Sequence, residues 1–221
     1  MTIAVPGSLG LAGEDVRNVL ALARASVSGV RFEVRPEQIE LHTAVPHGRE
    51  TRLGCGVALL NARLALQGHG IRPLVTLLPG PSANDAAAAI RLGGYQEAGP
   101  DVVALLHALR AGRRTWTAFP ELASWRGLLS RAAEVERAWL HVQSSTELVL
   151  CTFNQGAAAE IRAGQAMQRV VLTAATVGFA VSPALDPAGL AALRADLRPS
   201  LGNTLVPQVV LRLGGSPSTT V

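Results

Sequence analysis

The chain carries two similar segments 110 residues apart, which is half of its length of 221 residues. The first, Arg52–Pro73, reads RLGCGVALLNARLALQGHGIRP, and the second, Arg162–Pro183, reads RAGQAMQRVVLTAATVGFAVSP. Each is an apolar helical stretch ended by glycine, followed by a short segment and a turn marked by proline. Without a gap, five identities coincide: Arg52/Arg162, Gly54/Gly164, Ala65/Ala175, Gly68/Gly178 and Pro73/Pro183. The repeat predicts an internal duplication with halves at about residues 1–110 and 111–221.

Composition excludes several classes of protein. The chain is 48% hydrophobic but only 4% aromatic, so we expect a core of Leu, Val and Ala. All 20 basic residues are arginine, yet they are scattered, and few aromatics are available to stack on bases, which argues against a nucleic-acid partner. The longest uncharged apolar run, residues 170–183, is too short to cross a bilayer, and the N-terminus lacks the basic start of a secretion signal. We therefore expect a cytoplasmic protein that binds no membrane.

The residues most often used in metal sites and nucleophilic catalysis form no known pattern. Cys55 and Cys151 lie far apart within apolar runs, without Cys/His ligand spacing, so we expect two small buried side chains and no metal site. The five histidines are dispersed and no nucleophile elbow occurs, so the sequence identifies no catalytic residue.

Hydrophobic periodicity and turn residues predict a mixture of helices and strands. An Ala-rich helix is also expected, opened by Pro81 and running to about Arg91. We predict the other helices at 14–25, 53–67, 102–111, 122–138, 157–177 and 189–197, and strands at 30–34, 39–42, 74–78, 139–142, 147–153 and 206–213. The pattern favours an α+β fold, a sheet flanked by helices, within a single domain. Its two halves would be related by a pseudo-twofold axis around the two long buried helices, so that one chain imitates a dimer, with a further homodimer as the alternative.

Four blocks of sequence carry a resemblance to a known family: GRETRLGCGVALLNARLALQGHGIRPLVTLLPGP (48–81), RRTWTAF (113–119), RAGQAMQRVVLTAATVGFAVS (162–182) and PQVVLRLG (207–214). They resemble the nitroreductase superfamily, and within it the actinobacterial Acg-type proteins, which are single-chain versions of the usual dimer. The resemblance implies a nitroreductase-like fold and FMN bound between two halves.

The resemblance also implies which residues would hold FMN. Its phosphate motif, Arg-x-Ser/Thr-x-Arg/Lys, matches Arg113 and Thr115, with Thr117 where a base is expected and Arg114 as a partial substitute. Cations and a hydroxyl beside a helix N-terminus suit a phosphate dianion. Two further contributions are implied: Ser182 and Pro183 facing the flavin ring, and Ser26 from the other half.

Two functions follow from the resemblance and from its gaps. The first is an FMN-dependent oxidoreductase that uses NAD(P)H to reduce a small molecule: a nitroaromatic, a quinone or a pathway intermediate. The family's Ser-x-x-Asn-x-Gln-Pro-Trp segment is reduced here to Ser26 or Ser28, and no Arg follows Leu213. The second function is therefore a flavin-poor relative: a flavin store, a silent scaffold, or a cleft recruited for non-redox biosynthetic chemistry. A plain partner-binding protein is the third class.

Overall fold

A computed structural model of the chain describes residues 5–25, 27–43, 48–80, 86–112, 122–184, 187–197, 199 and 204–214. The chain divides into two compact units, Met1–Arg110 and Ala111–Val221. This boundary lies where the sequence repeat divides the chain.

The first unit contains one antiparallel sheet and its helices. Helix α1 (Gly13–Ala23) precedes the hairpin of β1 (Val30–Val34) and β2 (Gln38–Thr43), and the long helix α2 (Arg49–Gly68) follows. Strands β3 (Ile71–Leu77) and β4 (Ala88–Tyr95) complete a sheet of order β1-β2-β4-β3, and α3 (Pro100–Ala111) ends at the unit boundary. The predicted hairpin is confirmed.

The second unit repeats this order of elements, except that a helix lies between its last two strands. Helix α4 (Leu122–Val135), the hairpin β5 (Trp139–Val142) and β6 (Glu147–Thr152), and the long helix α5 (Ala157–Thr176) follow one another. Strand β7 (Val181–Ala184), helix α6 (Pro187–Leu197) and strand β8 (Val206–Leu213) complete a sheet of order β5-β6-β8-β7. The described residues are thus α+β, as predicted, but they form two four-stranded sheets where we expected one.

Each long helix is the centre of its unit. Helix α2 contacts β1, β2, β3 and α1, whereas α5 contacts β6, β7, β8 and α4. Helix α1 shows why the packing forms: its buried residues recur at the i, i+3, i+4, i+7 spacing of one helical face. These residues are Val16, Val19, Leu20 and Ala23.

The structural correspondence between the units differs by two residues from the ungapped sequence match. Both ends of α5 lie 108 positions after those of α2, and at that offset nine of the ten buried residues of α5 fall on buried residues of α2, against seven at an offset of 110. Strand pairing agrees with an offset of 108. Leu74 and Ser182 are 108 positions apart, and they lie opposite Arg91 and Arg212, which hold the same place in β4 and β8. The identities Arg52/Arg162 and Gly54/Gly164 therefore do not mark equivalent positions; a chain rich in Ala, Gly and Arg produces such coincidences.

The two prolines of the repeat lie within strands and not in turns, which corrects the sequence prediction. Pro73 belongs to β3 and Pro183 to β7, and each strand is the edge of its sheet. Gly214 donates to the Ala180 carbonyl at 3.0 Å, so by alternation Pro183 occupies a position that does not bond to β8. Proline has no N–H to contribute to a ladder, and an edge strand tolerates it at such a position.

The predicted Ala-rich helix after Pro81 is wrong. Residues 81–85 lie outside the described residues, and Ala88–Tyr95 form β4, the strand between β2 and β3. Alanine favours helix in isolation, but Ala88, Ala89 and Ile90 are buried in a sheet that pairs them on both sides. Tertiary pairing outweighs a helix preference of a few tenths of a kcal/mol per residue.

A polar side chain in the middle of each long helix holds the end of the preceding helix. Asn61 of α2 donates from Nδ2 to the carbonyl of Ala25, just after α1, at 3.4 Å. Arg169, 108 positions later in α5, donates from Nε to Glu136, just after α4, at 2.8 Å. The second contact is a nearly buried ion pair, since Arg169 is 13% and Glu136 is 5% exposed.

Among the described residues, no helix is both long and apolar enough to cross a membrane.

Breaking the Glu136–Arg169 pair from one side should destabilise the second unit. Arg169→Met removes this guanidinium from a buried carboxylate, and we expect the free energy of unfolding in urea to fall by about 3–5 kcal/mol. Arg212→Met, which removes an exposed partner of Glu147, is the control and should cost less than about 1 kcal/mol. Equal losses in the two variants would contradict a structural role for the buried pair.

The two-residue offset can be tested by moving a proline within β3. Val75 corresponds to Pro183, and its N–H points away from β4, whereas Thr76 bonds to the β4 ladder. Thr76→Pro should therefore cost about 3 kcal/mol or more, and Val75→Pro clearly less, when both are measured by thermal or urea unfolding. The reverse order would show that the offset of 108 is incorrect.

Candidate functional site

The predicted phosphate residues fall in the connection between α3 and α4. Arg113, Arg114, Thr115 and Thr117 lie outside the described residues, as does Ser26. Before these residues, the described chain ends at Gly112, which follows α3 and has a positive φ of 71°. After them, it resumes at Leu122, the first residue of α4. Their role in holding a phosphate stays a prediction.

Ser182 and Pro183, predicted to face a flavin, lie on the edge strand β7. Both side chains are half-buried, and Ser182 lies opposite Arg212 of β8. Because Ser182 is in a bonding position, the flanking Val181 amide and Pro183 carbonyl point away from β8. This edge offers a donor and an acceptor, together with the Ser182 hydroxyl, to a planar polar ligand.

The connection that would supply the family's second flavin segment is short. Helix α1 ends at Ala23 and β1 begins at Val30, which leaves only residues 24–29 between them. Gly29 in this connection has a positive φ of 73°, and the chain passes over α2, where Val27 would meet a Cβ placed on Gly54 at 3.4 Å. The connection is therefore shorter than the eight positions of Ser-x-x-Asn-x-Gln-Pro-Trp, and its sequence carries neither the Asn nor the Gln of that motif.

Sequence reasoning missed a polar row beside Ser182. Arg212 of β8 lies between Ser182 and Glu147 of β6, and its Nε donates to Glu147 Oε1 at 3.0 Å. Arg212 was visible only as part of the block PQVVLRLG, because strand order is what brings β6 next to β8. The row gives one face of this sheet a cation beside the predicted flavin-facing residues.

The first sheet carries a second polar cluster on the face turned away from α2. Glu33 and Glu40 lie directly opposite each other, and His42 Nε2 lies 3.3 Å from Glu40 and 3.7 Å from Glu33. Arg35 donates to Glu33 at 2.9 Å and lies 3.7 Å from Glu40, and these contacts lower the pKa of the Glu33 carboxyl. Arg31 lies 3.6 Å from Glu33. Within the described part of the chain, Glu33, Glu40 and His42 form the one group of side chains that could share a metal ion. Two guanidinium groups already balance the charge of these carboxylates, so we assign the cluster a structural role.

The second sheet is apolar at the positions that correspond to Glu40 and His42. Val149 and Cys151 of β6 occupy the places of Glu40 and His42, and Leu197 of α6 packs on them. In the second unit α6 packs on these positions, whereas in the first unit charged side chains occupy them.

The two cysteines are buried, as predicted. Both have no exposed surface and no disulfide. Burial raises the pKa of Cys55 to about 11 and that of Cys151 to about 12. Neither thiol is a nucleophile near neutral pH, because the reactive form is the thiolate.

No model of a protein family matches the chain, and no curated protein matches it in sequence.

The native protein should react slowly with a thiol reagent. At pH 8 we expect Cys55 and Cys151 to react with 5,5′-dithiobis(2-nitrobenzoate) about a hundredfold or more slower than after unfolding in urea, because native burial suppresses both access and thiolate. Folding raises the pKa of both thiols above 9.0. Their contribution to the free energy of unfolding is therefore fully present below about pH 9 and decreases as the pH rises toward 11. A fast-reacting native thiol would contradict this.

Proposed function

We propose that the chain is a single-chain FMN-binding oxidoreductase of the nitroreductase type. The observation that carries the proposal is the repeated unit: helix, hairpin, 20-residue helix and two strands occur twice, with the same sheet order. The nitroreductase superfamily, which the sequence blocks resemble, binds FMN between two subunits or two halves of one chain. The substrate would be a nitroaromatic, a quinone or a pathway intermediate, with NAD(P)H as the reductant.

The second unit and the connection before it would supply most of the contacts. Arg113, Arg114 and Thr115 would bind the phosphate through charge-assisted hydrogen bonds, each worth about 1.5–3 kcal/mol. Ser182 and the outward polar groups of β7 would orient the ring. FMN, when bound, supplies the hydride chemistry, and these residues bind and orient it.

The short connection between α1 and β1 supports a second candidate, a flavin-poor relative. Its six residues leave the first unit without room for the Asn and Gln contacts of the family's motif. At about 0.5–1.5 kcal/mol each, the loss of two such hydrogen bonds would weaken FMN binding by about one to two powers of ten. A chain of this kind would store flavin, act as a scaffold, or use its cleft for non-redox chemistry.

Titration with FMN decides between the two candidates. We expect the purified full-length protein to be yellow or to take up one FMN per chain, with its flavin reduced by NAD(P)H. Arg113→Ala should weaken FMN about tenfold or more, measured by quenching of flavin fluorescence, because it removes a phosphate contact. Arg110→Ala, an exposed arginine in the last turn of α3, is the matched control and should bind as the wild type does.

A colourless protein with no measurable FMN affinity would overturn the oxidoreductase and favour the flavin-poor candidate. Unchanged binding by Arg113→Ala in a protein that does bind FMN would show that the phosphate lies elsewhere.

A further inference from the structure

Two arginines occupy the same place in the two sheets. Arg91 of β4 lies opposite Gln38, the first residue of β2, and Arg212 of β8 lies opposite Glu147, the first residue of β6. In each case Nε of the arginine donates to the side-chain oxygen of its neighbour at 3.0 Å. The geometry is the same, but one acceptor is a neutral amide and the other a carboxylate.

This difference leaves the charge of Arg91 unbalanced. Glu147 neutralises Arg212, whereas Gln38 orients the Arg91 guanidinium without neutralising it. Among the described residues, no carboxylate oxygen lies within 4 Å of Arg91. The amide of Gln38 is itself held in place, since its Nε2 donates to Glu40 at 2.6 Å. Arg91 is thus an exposed, oriented cation, and its terminal nitrogens have no hydrogen-bond partner among the described residues.

Arg91 lines an open cleft of about 740 Å³ within the first unit. One wall is the turn containing Leu9 and Gly10, which is fastened to the β1–β2 turn by a hydrogen bond from the Leu9 amide to the Pro36 carbonyl at 2.9 Å. Pro36 and Leu92 add apolar surface. The volume falls within the range of small-molecule sites.

Arginines outnumber carboxylates in the lining of the cleft. Arg35 and Arg91 line it together with one carboxylate, that of Glu37. Arg35 is engaged by Glu33 at 2.9 Å, so Arg91 is the cation left to meet a ligand.

We propose that this cleft binds a small organic carboxylate. The two terminal nitrogens of Arg91 match the two oxygens of a carboxylate, and the surface of Pro36 and Leu92 takes the hydrocarbon part. The site lies in the first unit, uses none of the proposed flavin residues, and stands whether or not FMN binds.

Benzoate is a suitable probe, and the full-length protein is titrated while the Nε–H signals of its arginines are followed by ¹⁵N NMR. We expect benzoate to shift the Arg91 signal in a saturable way and benzyl alcohol, which lacks the charge, to bind at least about tenfold more weakly. Arg91→Gln should abolish the benzoate response. Gln38→Glu should also weaken binding about tenfold or more, because it gives Arg91 the neutralising partner that Arg212 already has.

The matched control is Arg212→Gln, which alters the equivalent arginine in the other unit and should leave benzoate binding unchanged. Equal binding of benzoate by wild type and Arg91→Gln would overturn the proposal. So would a loss of binding in Arg212→Gln as large as that in Arg91→Gln, or equal binding of benzyl alcohol and benzoate. Because Gln38→Glu retains Arg91, its result stands even if Arg91→Gln is poorly folded.

Discussion

Burial of a long helix against one face of a four-stranded sheet is the contact on which each unit depends. Helix α2 is buried along most of its length, and the first sheet presents Ile39 and Leu41 as part of the same core. Burial of apolar surface contributes about 25 cal/mol per Å². Because α2 buries many Leu, Val and Ala side chains, this contribution exceeds the cost of burying its few polar residues. Asn61 and Arg169 therefore have to be satisfied inside the structure, and the end of the preceding helix provides the partner in both cases.

The repeated framework keeps geometry while its chemistry changes. Asn61 and Arg169 hold corresponding positions, one with a backbone carbonyl and the other with a carboxylate as partner. The outer face of the sheet differs more: it carries a charged network around Glu40 in the first unit and apolar Val149 beneath α6 in the second. Arg91 and Arg212 keep the same hydrogen-bond geometry, but only Arg212 has a charged partner. We therefore expect equivalent positions in the two units to bind different ligands.

The two units would contribute unequally to a flavin site. The second unit offers the outward edge of β7, with Ser182 beside the charged Arg212. The first unit offers a connection of six residues, tightened by Gly29. If the chain binds FMN as proposed, most contacts would come from the second unit and the residues before it, and the contribution of the first unit would separate an enzyme from a flavin-poor relative.

Elements whose signals are local could be predicted from the sequence. The hairpin of β1 and β2, the bounds of β5 and β8, and the burial of both cysteines follow from alternation, turn residues and apolar runs. The pairing and packing of the elements establish that Ala88–Tyr95 is a strand, that Pro73 and Pro183 lie in edge strands, and that the long helices correspond at an offset of 108. The pairing of Arg91 with Gln38 was equally hidden. Each of these depends on which strand lies next to which, and contacts between residues distant in sequence leave no periodic signal along the chain.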